Sequence, residues 1–181
     1  MAFLRAQEDW IRRALSNVVP GDLVGMGAQI LVEGRLLTVT PGKGRSPVVE
    51  GDHLLVPGDV ARVSVRVAAW LKLRARDRLA LASDSYAARI GRRYRTLTLR
   101  DTRSRWGSCT AEAGLMYSWR LIMAPPPVLD YVAAHEVAHL AEMNHSPAFW
   151  SVVEGLMPDY RTHRRWLKAE GHRLHSYRFG A

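Results

Sequence analysis

The spacing of apolar residues changes several times along the chain, and each change predicts a different element. Apolar positions recur at helical spacing over residues 3–17, which predicts a first helix. Within residues 28–58, two runs rich in Val, Leu and Thr each contain a glycine turn, at 33–34 and at 50–52. Runs of this kind predict two β-hairpins.

A long helix is predicted next, over residues 59–90. Arginines alternate there with Ala, Val and Leu, so one face can pack while the other is solvated. Asp59 is a suitable N-cap residue, and Gly91 marks the end of the helix. Alternating apolar and polar residues then predict a strand at 96–100, and residues 115–119 predict its partner strand.

Three helices are predicted in the last part of the chain. The prolines that begin at Pro125 end the preceding segment and favour a helix start, so a helix is expected at about 126–143. Asn144 is a suitable left-handed cap for it. Further helices are expected at 146–157 and at roughly 159–174. This order of elements predicts an α+β fold with a small antiparallel sheet.

Composition is that of a single domain, over residues 1–181, with an ordinary core: 48% of the residues are apolar and 24% are charged. No apolar run is as long as a membrane span, and the first ten residues lack the apolar segment of a signal peptide. The single cysteine excludes an internal disulfide and fits a reducing compartment. We therefore expect a cytoplasmic protein with no membrane partner.

The net charge of +9 is compatible with an acidic, phosphorylated or nucleic-acid partner. Much of this charge lies in residues 89–105 and 161–178. Neither stretch contains a recognisable nucleic-acid-binding motif, and basic helix faces are most often simply solvated. The net charge therefore makes nucleic acid a possible partner that needs a test, but it does not favour nucleic acid over the other partners.

The strongest chemical signal is the pattern His135-Glu136-x-x-His139, followed by His145. Residues four apart lie on one face of a helix, so the first two histidines can bind the same metal ion. His145 offers a third nitrogen, and three protein ligands with one open position are typical of catalytic zinc. Glu136 is placed to take a proton from zinc-bound water. The pattern predicts a hydrolase with one Zn²⁺ per chain.

A chance match is the alternative. A surface helix with scattered histidines would be flanked by Lys and Glu, whereas this segment has mostly apolar neighbours: Val128, Leu129, Val132, Ala133, Val137, Ala138 and Leu140. Two imidazoles and a carboxylate in a buried helix destabilise the fold unless they are paired or bind a metal. Burial therefore favours metal binding.

Several separated segments resemble the YgjP-like metallopeptidase family, whose members are described as predicted zinc-dependent hydrolases related to the SprT and WLM zincins. These segments follow one another in the order of the family: Arg103–Cys109, Trp119–Pro126, Leu129–Leu140 and Asn144–Trp150. The resemblance implies a zincin-like domain with a catalytic core over 96–175, an active-site His-Glu-x-x-His helix and C-terminal helices. Members usually begin with further β-strands, which this chain is expected to lack before the helix predicted at 3–17.

The resemblance also implies that the three histidines bind zinc and that Glu136 is the general base. The spacing matches that of three-histidine metzincins, except that Glu142 replaces a turn glycine. A turn is therefore not expected there, which argues against a true metzincin. Glu154 is a competing third ligand, as in zincins with a more distant glutamate, although an exposed helix residue is the simpler interpretation and His145 is preferred.

The oxyanion formed during hydrolysis needs a hydrogen-bond donor besides the metal. The candidates are Arg103, Arg105, Arg120 and His163. Arg103 and Arg105 are favoured because their segment resembles the one next to the site in the family. The alternative is that these arginines pair with acidic residues: Asp101, Asp130 or Glu142.

Other conspicuous residues have simpler predicted roles. Cys109 is expected to pack in the interior, since no base that would activate it is evident. Asp130, about one turn before His135, could orient a metal ligand through a hydrogen bond. Four aromatic residues are expected to pack around the active-site helix: Trp106, Trp119, Phe149 and Trp150.

A zinc-dependent peptidase is the leading functional prediction. The resemblance also implies an alternative, a metal-dependent nucleoside triphosphate pyrophosphatase with a UTP-like substrate, which the basic residues 92–105 would suit. A nucleic-acid-associated, SprT-like protease is a further alternative. A peptidase needs a groove with a free strand edge, whereas a pyrophosphatase needs arginines and lysines that converge on the metal.

Overall fold

Residues 23–180 are described by the computed structural model, in which two small sheets and four α-helices share one core. The first sheet contains both predicted hairpins: β1 (Gln29–Val32) with β2 (Arg35–Gly42), and β3 (Val48–Glu50) with β4 (His53–Pro57). Positive φ angles of 49° at Glu33 and 74° at Gly34 form the tight turn of the first hairpin.

The two hairpins join through β2 and β4, which are parallel, giving the strand order β1-β2-β4-β3. The prediction of an antiparallel sheet is therefore wrong in this detail, because hairpin signals in a sequence describe only neighbouring strands. The α+β class itself is confirmed.

The second sheet lies next to the candidate site. Its strands are β5 (Thr96–Arg100), β6 (Gly107–Cys109) and β7 (Gly114–Ser118), in the order β5-β7-β6. The predicted partnership of β5 and β7 is confirmed and is parallel. Strand β6, which the sequence pattern does not predict because three residues are too few to show an alternation, pairs antiparallel with β7 at the edge of the sheet.

The long helix α1 (Val63–Arg89) is confirmed and follows a short 3-10 turn, Val60–Arg62. The carboxylate of Asp59 accepts a hydrogen bond from the Ala61 N–H at 3.0 Å, as expected of a cap. The buried residues of α1 recur at every fourth position and face the common core: Val63, Val67, Leu71, Ala75 and Leu79. Gly91, just after the helix, has φ 63°.

The C-terminal helices are α2 (Pro126–Ala138), α3 (Pro147–Leu156) and α4 (Tyr160–Glu170), and a 3-10 turn, Gly171–His175, follows. Ser146 caps α3 by accepting a hydrogen bond from the Phe149 N–H at 3.3 Å. Most of α2 is buried, so a helix with functional side chains runs through the core.

Two predictions about the start of the chain, the helix at 3–17 and the missing strands before it, lie outside the described residues. Among the residues that are described, no helix combines the length and apolar character needed to span a membrane. The cytoplasmic location stays a prediction.

Candidate metal centre

The end of α2 brings the three predicted ligands together. His135 lies in the last turn of α2, His139 caps the helix, and His145 lies in the connection to α3. One ring nitrogen from each lies within 4.8 Å of the others, and the Nε2 atoms of His135 and His145 are 3.0 Å apart. Nitrogens bound to one tetrahedral zinc are about 3.3 Å apart. The cluster therefore fits a metal ion.

A tight turn after α2 places His145 in this cluster. The N–H groups of Leu140 and Ala141 donate to the carbonyls of Val137 and Ala138, at 2.9 and 3.0 Å, as the helix ends. The predictions that α2 runs to about residue 143 and ends with a left-handed Asn144 are therefore wrong. A continuing helix would have carried His145 away from the other ligands.

Glu142 takes part in this turn, although a glutamate in place of the turn glycine predicts that no turn forms here. Its backbone carbonyl accepts a hydrogen bond from Nδ1 of His139 at 3.0 Å. With the proton on Nδ1, the Nε2 atom of His139 has a free lone pair for a metal. The prediction that Glu142 excludes a turn here is therefore wrong, because the turn uses backbone groups and needs no glycine.

His135 and His139 are held in the state that binds metals. Burial, together with the neighbouring imidazoles of His139 and His145, lowers the pKa of His135 to about 3. Burial also lowers the pKa of His139. Both rings are therefore neutral at physiological pH, with lone pairs available for coordination.

Phe149 of α3 holds the cluster in place from the apolar side. This fully buried ring lies 4.9, 4.4 and 4.8 Å from the ring centres of His135, His139 and His145. Trp150 is next to it, with its ring centre 5.7 Å from His135 and 5.9 Å from His145. Both aromatics pack at the active-site helix, as predicted.

Glu136 is almost completely buried, with 5% of its surface exposed. This desolvation raises the pKa of its carboxyl group to about 8. Strand β6 covers it so closely that a β-carbon placed on Gly107 would lie 2.6 Å from both Cγ and Oε1 of Glu136. As long as Glu136 keeps this position, only glycine fits at residue 107.

A small pocket of about 230 Å³ opens between β6 and α2. His135 and Glu136 line it together with Gly107, Tyr131 and, from α4, Leu167. A buried carboxylate and a metal-binding imidazole thus share one cavity that solvent or a substrate group can enter, as a hydrolytic site requires.

The family model described as the YgjP-like metallopeptidase domain matches residues 1–170 of the chain. The chain belongs to the YgjP-like metallopeptidase family. It is therefore an enzyme, a hydrolase of the metal-dependent peptidase type. The resemblance predicted from separate sequence segments is confirmed.

A solved structure similar to this YgjP-like chain is that of the metallopeptidase zymogen of Pyrococcus abyssi, abylysin. The two share 16% sequence identity, with a TM-score of 0.45, over 50% of this chain and 93% of that chain. No curated protein matches the sequence.

Several residues that the sequence offered to this metallopeptidase site are engaged in other contacts. Arg120 is buried and forms an ion pair with Asp101 at 2.6 Å, and it also donates to the carbonyls of Leu174 and Tyr177. His163 pairs with Asp159 at 3.0 Å. Arg120 thus ties the C-terminal segment to the second sheet, and the structure offers neither residue as a free donor for the oxyanion.

Two carboxylates considered for the metal site point to other partners. Asp130 lies 3.7 Å from Arg78 on α1, so it does not orient His135, whose buried Nδ1 has no hydrogen-bond partner among residues 23–180. Glu154 forms an ion pair with Arg161 at 2.7 Å and lies outside the three-histidine cluster. The preference for His145 as the third ligand therefore has geometric support.

Arg103 and Arg105 are exposed and do not line the pocket beside Glu136. Asp101 pairs with Arg120, as the alternative predicted for one of the candidate arginines, and Asp130 pairs with Arg78. The role of Arg103 and Arg105 as transition-state stabilisers stays a prediction.

Cys109 is half-buried in β6. Burial, followed by the charge of Glu136, raises the pKa of its thiol to about 11. A thiol in this state is a poor nucleophile. Cys109 packs against the hydrophobic core, which supports the prediction of a packing residue.

Proposed function

We propose that this protein is a zinc-dependent peptidase in which His135, His139 and His145 bind the ion and Glu136 is the general base. One observation carries the proposal: beside the cluster of three imidazoles, the buried carboxylate of Glu136 shares a pocket with His135 and with Gly107 of the edge strand β6. Nitrogen ligands suit zinc, and three of them leave a position for the reaction.

In this proposal Glu136 accepts the proton of the attacking water and later delivers it to the leaving amine. When bound, the metal ion supplies Lewis acidity, which polarises the scissile carbonyl and acidifies water. The low polarity around Glu136 favours its neutral form, as the raised pKa of about 8 indicates, so its carboxylate is a stronger base than an exposed one. Gly107 above it restricts where the carboxylate can lie.

The surroundings of the pocket favour a peptide substrate over a nucleoside triphosphate. Strand β6 is the last strand of its sheet, and its outer edge pairs with no described strand. Free backbone groups at such an edge can pair with an extended peptide. A triphosphate would need several converging cations, but no arginine or lysine among residues 23–180 lines the pocket beside Glu136.

The substrate class can be tested with the metal-loaded protein, a peptide library and a set of nucleoside triphosphates. We expect peptide cleavage that disappears after chelation and returns when zinc is added. Hydrolysis of triphosphates alone would reject the peptidase proposal and support the pyrophosphatase alternative. Cleavage that depends on added DNA would support the SprT-like alternative.

Removal of one ligand is expected to abolish stoichiometric metal binding. The wild-type protein should contain one zinc ion per chain by elemental analysis, whereas His135→Ala should contain much less, because two imidazoles alone hold zinc weakly. His172→Ala is the matched control, since this histidine is exposed and lies outside the cluster. One ion per chain in His135→Ala would show that the ligand assignment is wrong.

A further inference from the structure

Arg164 is a half-buried cation at the border of the metal centre. It lies on α4, three residues before Leu167, which lines the pocket beside Glu136. Its guanidinium carbon is 4.5 Å from the centre of the Trp150 ring, and that ring packs against both His135 and His145. Arg164 and two of the three ligands therefore contact the same aromatic ring.

The Trp150 ring that Arg164 contacts is also linked to the pocket. It stacks on the ring of Tyr160, with 5.4 Å between the ring centres, and Tyr160 stacks in turn on Tyr131, at 6.4 Å. Tyr131 lines the pocket beside Glu136. Arg164 thus lies at the border of both the ligand cluster and the pocket.

No acidic group in the described part of the chain neutralises Arg164. Its neighbour on the helix, Arg161, pairs with Glu154 at 2.7 Å, and Asp159 pairs with His163. For Arg164, residues 23–180 provide a contact with Trp150 and no ion pair or hydrogen bond. The ring orients the guanidinium without satisfying its five N–H donors.

We propose that Arg164 binds a carboxylate of the substrate and so makes the enzyme selective for acidic peptides. The planar guanidinium can donate two parallel hydrogen bonds to a carboxylate, and an aromatic neighbour that holds it in place lowers the entropy lost on binding. Arg164 is in this view a specificity residue next to the reacting groups. The inference deepens the proposed peptidase function and rests on it for the nature of the substrate.

Binding of metal-chelating hydroxamates tests this carboxylate site without any cleavage. Each hydroxamate has a tail that ends in a carboxylate or in the matching amide, with tethers of increasing length. With the metal-loaded wild type we expect the best carboxylate to bind about tenfold more tightly than its amide. Arg164→Gln should remove this preference and leave amide binding unchanged, while Arg164→Lys should keep part of it.

Arg165→Gln is the matched control, since Arg165 is the next residue on α4, carries the same charge and is exposed. It should retain the full preference for the carboxylate. Equal binding of carboxylate and amide by the wild type would overturn the proposal even if Arg164→Gln failed to fold. So would an equal loss in Arg164→Gln and Arg165→Gln, since a general charge effect would then explain the preference.

Matched peptides identify the source of the carboxylate and separate the two proposals. One peptide has an internal glutamate and a blocked C-terminus, a second is neutral with a free C-terminus, and a third is neutral and blocked. A lower KM for the first peptide that is lost in Arg164→Gln assigns the carboxylate to a side chain. A lower KM for the second peptide that is lost in the same variant assigns it to the C-terminus. A carboxylate preference among hydroxamates without cleavage of any peptide would reject the peptidase and keep the Arg164 site. Peptide cleavage without any preference for a carboxylate would keep the peptidase and reject the Arg164 site.

Discussion

Glu136→Gln is expected to lose about a hundredfold to ten-thousandfold in kcat/KM while it keeps its metal. The amide has nearly the same shape as the carboxylate, so it can occupy the same buried space below Gly107. It cannot accept the proton of the attacking water, and Glu136 is not one of the clustered ligands. Turnover with the preferred peptide and elemental analysis of the same sample test both parts of this expectation.

Glu154→Gln is the control for the loss of a carboxylate near the site. Glu154 pairs with Arg161 on the surface of the helical layer, so this variant should keep both metal and activity. A loss of zinc in Glu154→Gln would revive the interpretation of Glu154 as third ligand. Wild-type activity in Glu136→Gln would remove the general base from the mechanism.

Local patterns were sufficient to predict most of the elements and the clustering of the three histidines. A spacing of four residues places His135 and His139 on one helix face whatever the rest of the fold does. The tight Glu33-Gly34 turn also depends on neighbouring residues alone, and the structure contains it. Features that adjacent residues determine could therefore be recognised without coordinates.

Features that depend on distant residues could not be predicted in the same way. The parallel pairing of β2 with β4 and the short strand β6 arise from partners elsewhere in the chain. Arg120 seemed available for catalysis because nothing in the sequence shows that the carbonyls of Leu174 and Tyr177 would accept its N–H groups. Many groups along a chain can accept a hydrogen bond from an arginine, and only the fold determines which of them lie near it.

The active-site turn illustrates the same limit at shorter range. The side chain of Glu142 suggested a continuing helix, yet its carbonyl accepts the His139 hydrogen bond that fixes the ring. Side-chain identity predicts helix ends through propensity, whereas this end is determined by backbone hydrogen bonds and by the packing of Phe149 under the histidines. The requirement for three converging ligands would have been the better guide.

Gly107→Ala is expected to lower kcat about a hundredfold with zinc still bound. The added methyl would lie 2.6 Å from Cγ and Oε1 of Glu136, so either the glutamate side chain or strand β6 must move. The flexible glutamate side chain can shift more easily than the strand, which preserves the fold but displaces the general base. Gly107 does not have a positive φ, so the glycine is needed here for space and not for its backbone conformation.

Gly155→Ala makes the same chemical change without the contact. Gly155 lies in α3, where a β-carbon would meet nothing within 4 Å, and alanine favours a helix more than glycine does. This control should keep full activity and melt at an equal or higher temperature. Single-turnover rates, zinc content and melting temperature of the two variants together separate a displaced base from a damaged fold. An unchanged kcat in Gly107→Ala would mean that Glu136 can act from a second position, and the close approach of β6 would then be a matter of packing alone.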